Sequence, residues 1–335
     1  MQKRIKTFML AGTLAAAVAL TSCAPTSGGG GGDSGDSAFP ERKIDLVVAF
    51  APGGAVDSAA RLLAPALERE LGVTVEVTNV TGAGGQVGYT QLAKADPDGY
   101  TIGTTGSPSV VVAPLDPSRG ATFTRESFQP LALQVIDSAA IAVSPDSPYQ
   151  SLEELFDAAK TSPGKINATT TGLQGGEHFF LAQIGSELGF EFNPVHFSEG
   201  QSAAIAAFLG GHVDVYVGNA SDMVELEAQG NARVLGVAGE ERAAALPETP
   251  TFAELGFDLV AGTVRGYSAP AGLPKDVLKR WDAAFDAAIN DPKVVESMEN
   301  LGLTTTYADS AGYADVWGEQ DELYRSVLDL VLEAE

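Results

Sequence analysis

From residue 44 to residue 237, short runs of β-branched apolar residues alternate with segments of helical periodicity, and this alternation restricts the possible folds more than any other feature. Residues 44–50, 73–80, 100–105, 141–144, 195–197, 213–217 and 234–237 read as strands. Residues 57–71, 86–95, 152–161, 178–188, 202–209 and 223–229 read as the helices between them. Strand, helix, strand in that order predicts an α/β fold, mostly parallel, with helices on both faces. Ligands of such folds bind at the carboxyl ends of the strands. After Ala269 only helices are expected, over 275–290, 292–300 and 310–332, the second opened by Asp291 as N-cap and Pro292 at the first helical position. Pro65 lies inside the first helix and is expected to kink it or split it after Ala64. No repeat of solenoid type is visible.

Ahead of this pattern stands a leader. Lys3, Arg4 and Lys6 precede an apolar run over 8–20 and then Leu20-Thr21-Ser22-Cys23, which reads as a secretory signal peptide over 1–22. The run is too short for a transmembrane helix, which needs about 20 residues. The Leu-Thr-Ser-Cys end resembles a bacterial lipobox, which makes Cys23 the expected site of lipidation. Cys23 is the only cysteine, so no internal disulfide supports the fold. Residues 24–38 are rich in glycine and serine and read, with Cys23, as a lipidated flexible tether reaching about 20 Å. The remaining residues, 39–335, are too many for one ordinary core and suit two.

Removing the leader leaves 17 basic against 44 acidic residues, so nucleic acid and anionic lipid surfaces are poor partners. An anionic ligand would have to be held by local dipoles against that field. Enzyme signatures are missing from the sequence. There is no G-x-S-x-G elbow, and His178, His196 and His212 fall in separate strand-to-helix units without metal-ligand spacing. Residues 81–88 place glycines after a strand, but the third glycine of a dinucleotide fingerprint would fall at Val87. Neither a catalytic role, nor a cofactor, nor a metal is expected.

Four turns carry the binding chemistry. The first strand ends in Pro52-Gly53-Gly54-Ala55-Val56-Asp57, where glycines admit a close approach and the following helix offers free N–H groups. Asp57 is expected to cap that helix, with Arg61 one turn on to pair with it. Similar turns run over 167–178, 197–202 and 216–221, and the four are expected to converge on one cleft.

The segments FAPGGAVDSAAR (50–61), TGAGGQVG (81–88), DPDGY (96–100), LGGHVD (209–214), LPETPTFAEL (246–255) and APAGLP (269–274) carry a resemblance. In this order, across residue 39 to the C-terminus, the chain resembles the tripartite tricarboxylate transporter substrate-binding family, also called Bug receptors. The resemblance implies a two-lobed, periplasmic-binding-protein-like Venus flytrap, with 39–140 and 265–335 as lobe 1 and 141–264 as lobe 2. It implies a small carboxylate as ligand, a di- or tricarboxylate or related organic acid, delivered to the membrane permease subunits of a tripartite secondary transporter. A sensor that passes occupancy to a signalling partner is the alternative. By motif, carboxylate contacts carry over to Gly53, Gly54, Ala55, Val56 and Asp57, and to Thr170, Thr171, Gly172, Gly175, Gly176 and His178. Ser198, Gly200 and Asn219 match looser parts of the pattern. Val264-Arg265-Gly266 is similar to a Trp-Arg-Gly motif of the tricarboxylate branch, with Val264 in place of tryptophan. Arg265 then either forks to a second carboxylate or, as a hinge-strand arginine, pairs with a surface acid. The implied location is the outer face of the cytoplasmic membrane, held by the lipid anchor, and nothing in the sequence suggests more than a monomer.

Overall fold

The computed structural model describes residues 39–198 and 200–333. The leader, Cys23 and the tether therefore lie outside the described residues, as do Glu199, Ala334 and Glu335. The described residues form one compact unit.

The first part of this unit runs β1 (Ile44–Val48), α1 (Ala55–Leu71), β2 (Val75–Asn79), α2 (Gln86–Ala93), β3 (Thr101–Gly106) and α3 (Ser109–Leu115). The long strand β4 (Phe128–Val143) follows, and then α4 (Leu152–Thr161), β5 (Asn167–Thr170), α5 (Gly176–Leu188), β6 (Asn193–His196), α6 (Gln201–Leu209), β7 (Val215–Asn219), α7 (Ala220–Ala228) and β8 (Arg233–Val237). The chain returns through β9 (Gly262–Pro270) and ends with α8 (Lys275–Ile289), α9 (Pro292–Glu299), β10 (Thr305–Ala308) and α10 (Ser310–Glu333). The strands join in the order β2-β1-β3-β9-β4-β7-β5-β6, with β10 and β8 also paired to β4. β1 is parallel to β2 and β3, and β5 is parallel to β6 and β7. Every pairing made by β4 and β9 is antiparallel, so the sheet is mixed at its centre and parallel only toward its edges.

β4 serves both halves. Its residues 128–138 face β9, and its residues 139–143 face β7. On the first half, α1, α8 and α9 cover one face around Leu63, Leu67, Trp281 and Phe285, while Tyr89, Val112, Trp317 and Tyr324 fill the other. On the second half, Phe156 sits among Phe190, Phe192, Phe252 and Phe257 in one cluster, and Phe208, Tyr216 and Met223 anchor a second. Each fully buried leucine or phenylalanine contributes about 1.5–3 kcal/mol relative to exposure, which is how a chain without disulfides holds two halves.

Several local expectations are corrected. α1 is not split at Pro65 but runs unbroken to Leu71, because Pro65 lies on the exposed face, where water can reach the Arg61 carbonyl left without a donor. The helix stops at Gly72, in the left-handed region, whose N–H donates to the Glu68 carbonyl. The strand expected at 141–144 is the tail of the 16-residue β4. Residues 167–170 are themselves a strand rather than a turn after one, and β10 interrupts the helical C-terminal part. The Asp291 cap is as expected, its carboxylate accepting the Lys293 N–H with Pro292 opening the helix. Among the described residues no helix is long and apolar enough to cross a membrane.

Candidate ligand-binding site

A cavity of about 230 Å³ opens between the start of α1, the carboxyl end of β3, the start of α5 and the strand β9. At roughly 30 Å³ per water it has room for about eight waters, which suits a small solute. Phe50, Val56, Ala59 and Tyr89 supply an apolar wall, with Thr104, Gln134 and Tyr267 on the strands behind it. Thr171, Gly176, Glu177 and Thr263 also line it, and among the described residues Arg265 is the only lysine or arginine on the wall.

The turn after β1 is held by its own aspartate. Gly53 has φ near +83°, a conformation that suits glycine, and its N–H donates to Asp57 Oδ2 at 2.8 Å. Asp57 does not cap α1, because Gly54 is the N-cap and Asp57 stands three residues into the helix, from where its carboxylate reaches back to the turn. Arg61 Nε donates to both of its oxygens at 3.0 Å and Asn79 Nδ2 to one at 2.8 Å. Burial alone would raise its pKa, but the Arg61 guanidinium, the Gly53 N–H and the Asn79 amide outweigh that and hold it below the usual carboxylate value. Asp57 thus fixes the loop and lies off the cavity wall, as do Gly53, Gly54 and Ala55, while Val56 lines it.

The turn after β5 has the same logic with a glutamate. Thr171 donates to Glu177 Oε2 through its hydroxyl at 2.6 Å and its N–H at 3.3 Å, and Gly172 takes φ near +129°. Gln174 Nε2 donates to Asp116 Oδ2 at 3.0 Å, tying this turn to the end of α3. Burial opposes ionisation of Asp116, yet its bonds from Ser118 and Gln174 hold its pKa below the ordinary value. Thr170 is fully buried, with its hydroxyl 2.6 Å from His196 Nδ1. His178 Nδ1 accepts from the Gln174 N–H, and the His178 and His196 rings lie 4.7 Å apart, edge to face. Sequence separation concealed that pairing.

Of the residues expected at the site, the cavity wall includes Val56, Thr171, Gly176 and Arg265. Thr170 at the end of β5, Gly172 and Gly175 in the turn after it and His178 in α5 are off the wall, as are Ser198 and Gly200 in the turn after β6. Asn219 accepts from the Thr263 hydroxyl at 3.1 Å and so reaches the wall only through Thr263. The four turns therefore do not all meet in this cavity. What the sequence reading missed is the turn from β3 into α3, Thr104-Thr105-Gly106-Ser107-Pro108-Ser109, all of which lines the cavity. Its signal was available, since a strand followed by small hydroxyl residues is the pattern sought elsewhere.

Most hydroxyls on this wall are already engaged. Thr105 bonds Ser268, Ser107 donates to Gln320, Ser109 bonds Tyr89, and Tyr267 donates to Gln134. Thr104 Oγ1 is buried and has no partner among the described residues. Arg265 Nη1 donates to Asp137 Oδ2 at 3.1 Å, and both side chains are largely buried. Asp137 also accepts from the Ser221 hydroxyl at 2.6 Å. Nearby, burial, with the Asp137 charge adding to it, pushes the Asp222 carboxyl up to about 6 against the opposing Asn219 N–H.

A cavity lined by hydroxyl, backbone and apolar groups together with Arg265 and Glu177, in a two-lobed α/β fold, is the architecture of a solute-binding receptor. The chain belongs to the tripartite tricarboxylate transporter receptor family: the model of that family, TctC, described as the tripartite tricarboxylate transporter family receptor, matches residues 59–329. It is 32% identical over 295 residues to a UPF0065 protein from the tcbD-tcbE intergenic region of Pseudomonas sp. strain P51, covering 87% of each chain. Among solved structures it is similar to a TctC solute-binding protein from Polaromonas, with 26% identity, a TM-score of 0.78, and coverage of 87% of this chain and 99% of that one. It is also similar to MatC from Rhodopseudomonas palustris, solved with bound malate, with 25% identity, a TM-score of 0.71, and coverage of 86% and 99%.

Proposed function

We propose that this chain is an exported lipoprotein, anchored through Cys23 to the outer face of the cytoplasmic membrane, that captures a small carboxylate and delivers it to the permease subunits of a tripartite secondary transporter. The observation that carries this reading is the cavity itself, where Val56 of the β1 turn, Thr171 and Gly176 of the β5 turn and Arg265 of β9 face one small volume. Exposed N–H groups at the starts of α1 and α5 hold the carboxylate, as helix starts do for anions. Lobe 1, residues 39–140 and 265–335, and lobe 2, residues 141–264, close on it to the extent that the solute touches both. The malate in the R. palustris relative supports a carboxylate ligand.

A thermal-shift screen against mono-, di- and tricarboxylates, acidic amino acids and aromatic acids tests the reading. A solute that binds only the folded state adds about 2.7 kcal/mol of stability at a hundred times its Kd. No shift with any acid, in folded protein freed of carried-over solute, would sink the carboxylate assignment. The anchor is tested separately: Cys23→Ser should move the protein from the membrane to the soluble fraction.

A further inference from the structure

The strand side of the cavity is chemically unlike the turns at its mouth. Tyr267 donates to Gln134 Oε1 at 2.8 Å, which leaves both engaged with each other. Thr104, on the wall of the same cavity, is 6% exposed, and its hydroxyl is without a partner among the described residues. Buried hydroxyls are nearly always hydrogen-bonded, so an unpartnered one on a cavity wall marks the place where a ligand atom completes it. No second charge can be held there. Arg265 is the one cation on the wall and is already paired with Asp137, while the Glu177 carboxylate also lines the cavity. A second carboxylate at Thr104 would be desolvated with a single hydroxyl to replace its water, in a cavity that the Glu177 carboxylate also lines.

We infer that Thr104 reads the far end of the solute and that this end is an uncharged hydrogen-bonding group. The solute class is then a monocarboxylate with a short apolar body, lying along Phe50, Val56 and Tyr89, and one neutral polar tail. This rests on the reading that the cavity takes a carboxylate at its mouth.

The test is calorimetric titration of the full-length protein with two matched series: pentanoate, 5-hydroxypentanoate and glutarate; benzoate, 4-hydroxybenzoate and terephthalate. In at least one series the hydroxy acid should bind about tenfold tighter than both the plain acid and the diacid, the worth of one hydrogen bond in a closed site. Thr104→Val should erase the advantage over the plain acid. Thr104→Ser should keep the advantage, which separates a lost hydroxyl from a damaged fold. A diacid that binds as tightly as the hydroxy acid overturns the inference and leaves carboxylate capture standing. A hydroxy-acid preference that survives Thr104→Val overturns the role of Thr104. If no acid of either series binds, the carboxylate reading fails and the inference with it.

Discussion

Arg265 and Asp137 face each other across the central strands β9 and β4, with Arg265 Nη1 3.1 Å from Asp137 Oδ2, at the point where β4 passes from one half of the sheet to the other. Asp137 also takes both the hydroxyl and the N–H of Ser221 at the start of α7, so a single carboxylate joins three elements.

Removing that carboxylate should therefore be costly and informative. Asp137→Asn leaves Arg265 largely buried without its counter-charge, which costs about 3 kcal/mol. The same change frees Arg265 toward the cavity, so diacids should gain affinity while stability falls. Urea unfolding alongside glutarate titration checks both, and a variant with unchanged diacid binding would show that Asp137 does not limit the Arg265 charge.

Gly54→Asp separates binding from folding at the first turn. Gly54 has φ −76°, and an added Cβ meets only the Ala51 carbonyl at an ordinary 3.6 Å, so aspartate fits. It would also be a better N-cap than glycine by a few tenths of a kcal/mol. The expected result is a melting temperature unchanged or slightly raised, with acid affinity reduced at least tenfold by the introduced charge. Undiminished affinity would remove this turn from the carboxylate site.

Pro65→Ala restores a donor for the Arg61 carbonyl in the middle of α1. Because Pro65 is exposed, no packing is disturbed. The interior helix penalty of proline exceeds the unfolded-state entropy it removes, so the variant should be about 1–2 kcal/mol more stable by chemical denaturation.

The acid titration has two opposite limbs. Asp222 is pushed up to about 6 from 3.8, so between those values the folded protein holds more protons than the unfolded chain, and this group's contribution falls as pH rises from about 4 to about 6. Asp57 and Asp116 are lowered, so their contribution is present above 3.8 and is lost as pH drops through their folded values. Asp222→Asn should flatten the first limb of a stability-against-pH curve measured in urea and leave the second. A first limb of unchanged slope would mean that Asp222 is not its source.

Where residues act through near neighbours, the sequence was a sufficient guide. The Asp57–Arg61 pair, the Asp291-Pro292 helix start and the β1-α1-β2 unit depend on contacts a few residues apart, and periodicity and spacing report these. β4 was legible only at its end because Gln134, Asp137 and Ser138 interrupt any apolar alternation, and their partners come from far along the chain: Tyr267 for Gln134, Arg265 and Ser221 for Asp137. β10 has four residues of intermediate burial and hence no alternation to detect. The misplaced cap at Asp57 has a simpler cause: Ala55 and Val56 carry no capping signal, so the helix start was set at the first polar residue that does. The turn that holds Thr104 was within reach of the sequence, but the want of a partner for its hydroxyl was not, since that is a property of the surrounding space and not of the local sequence.

The place of β9 between β3 and β4 has a consequence for how the chain is made. The first half of the sheet has its outer strands by residue 106, but the strand that joins β3 to β4 begins only at Gly262, and Trp281 and Phe285, which close its core, come later still. In a chain that emerges N-terminus first, that sheet stays open from the time β3 emerges until more than 150 further residues have followed. During that interval β3 carries an unpaired edge and an uncovered apolar face. The first half of this protein therefore completes its folding only after nearly all of the chain has been synthesised.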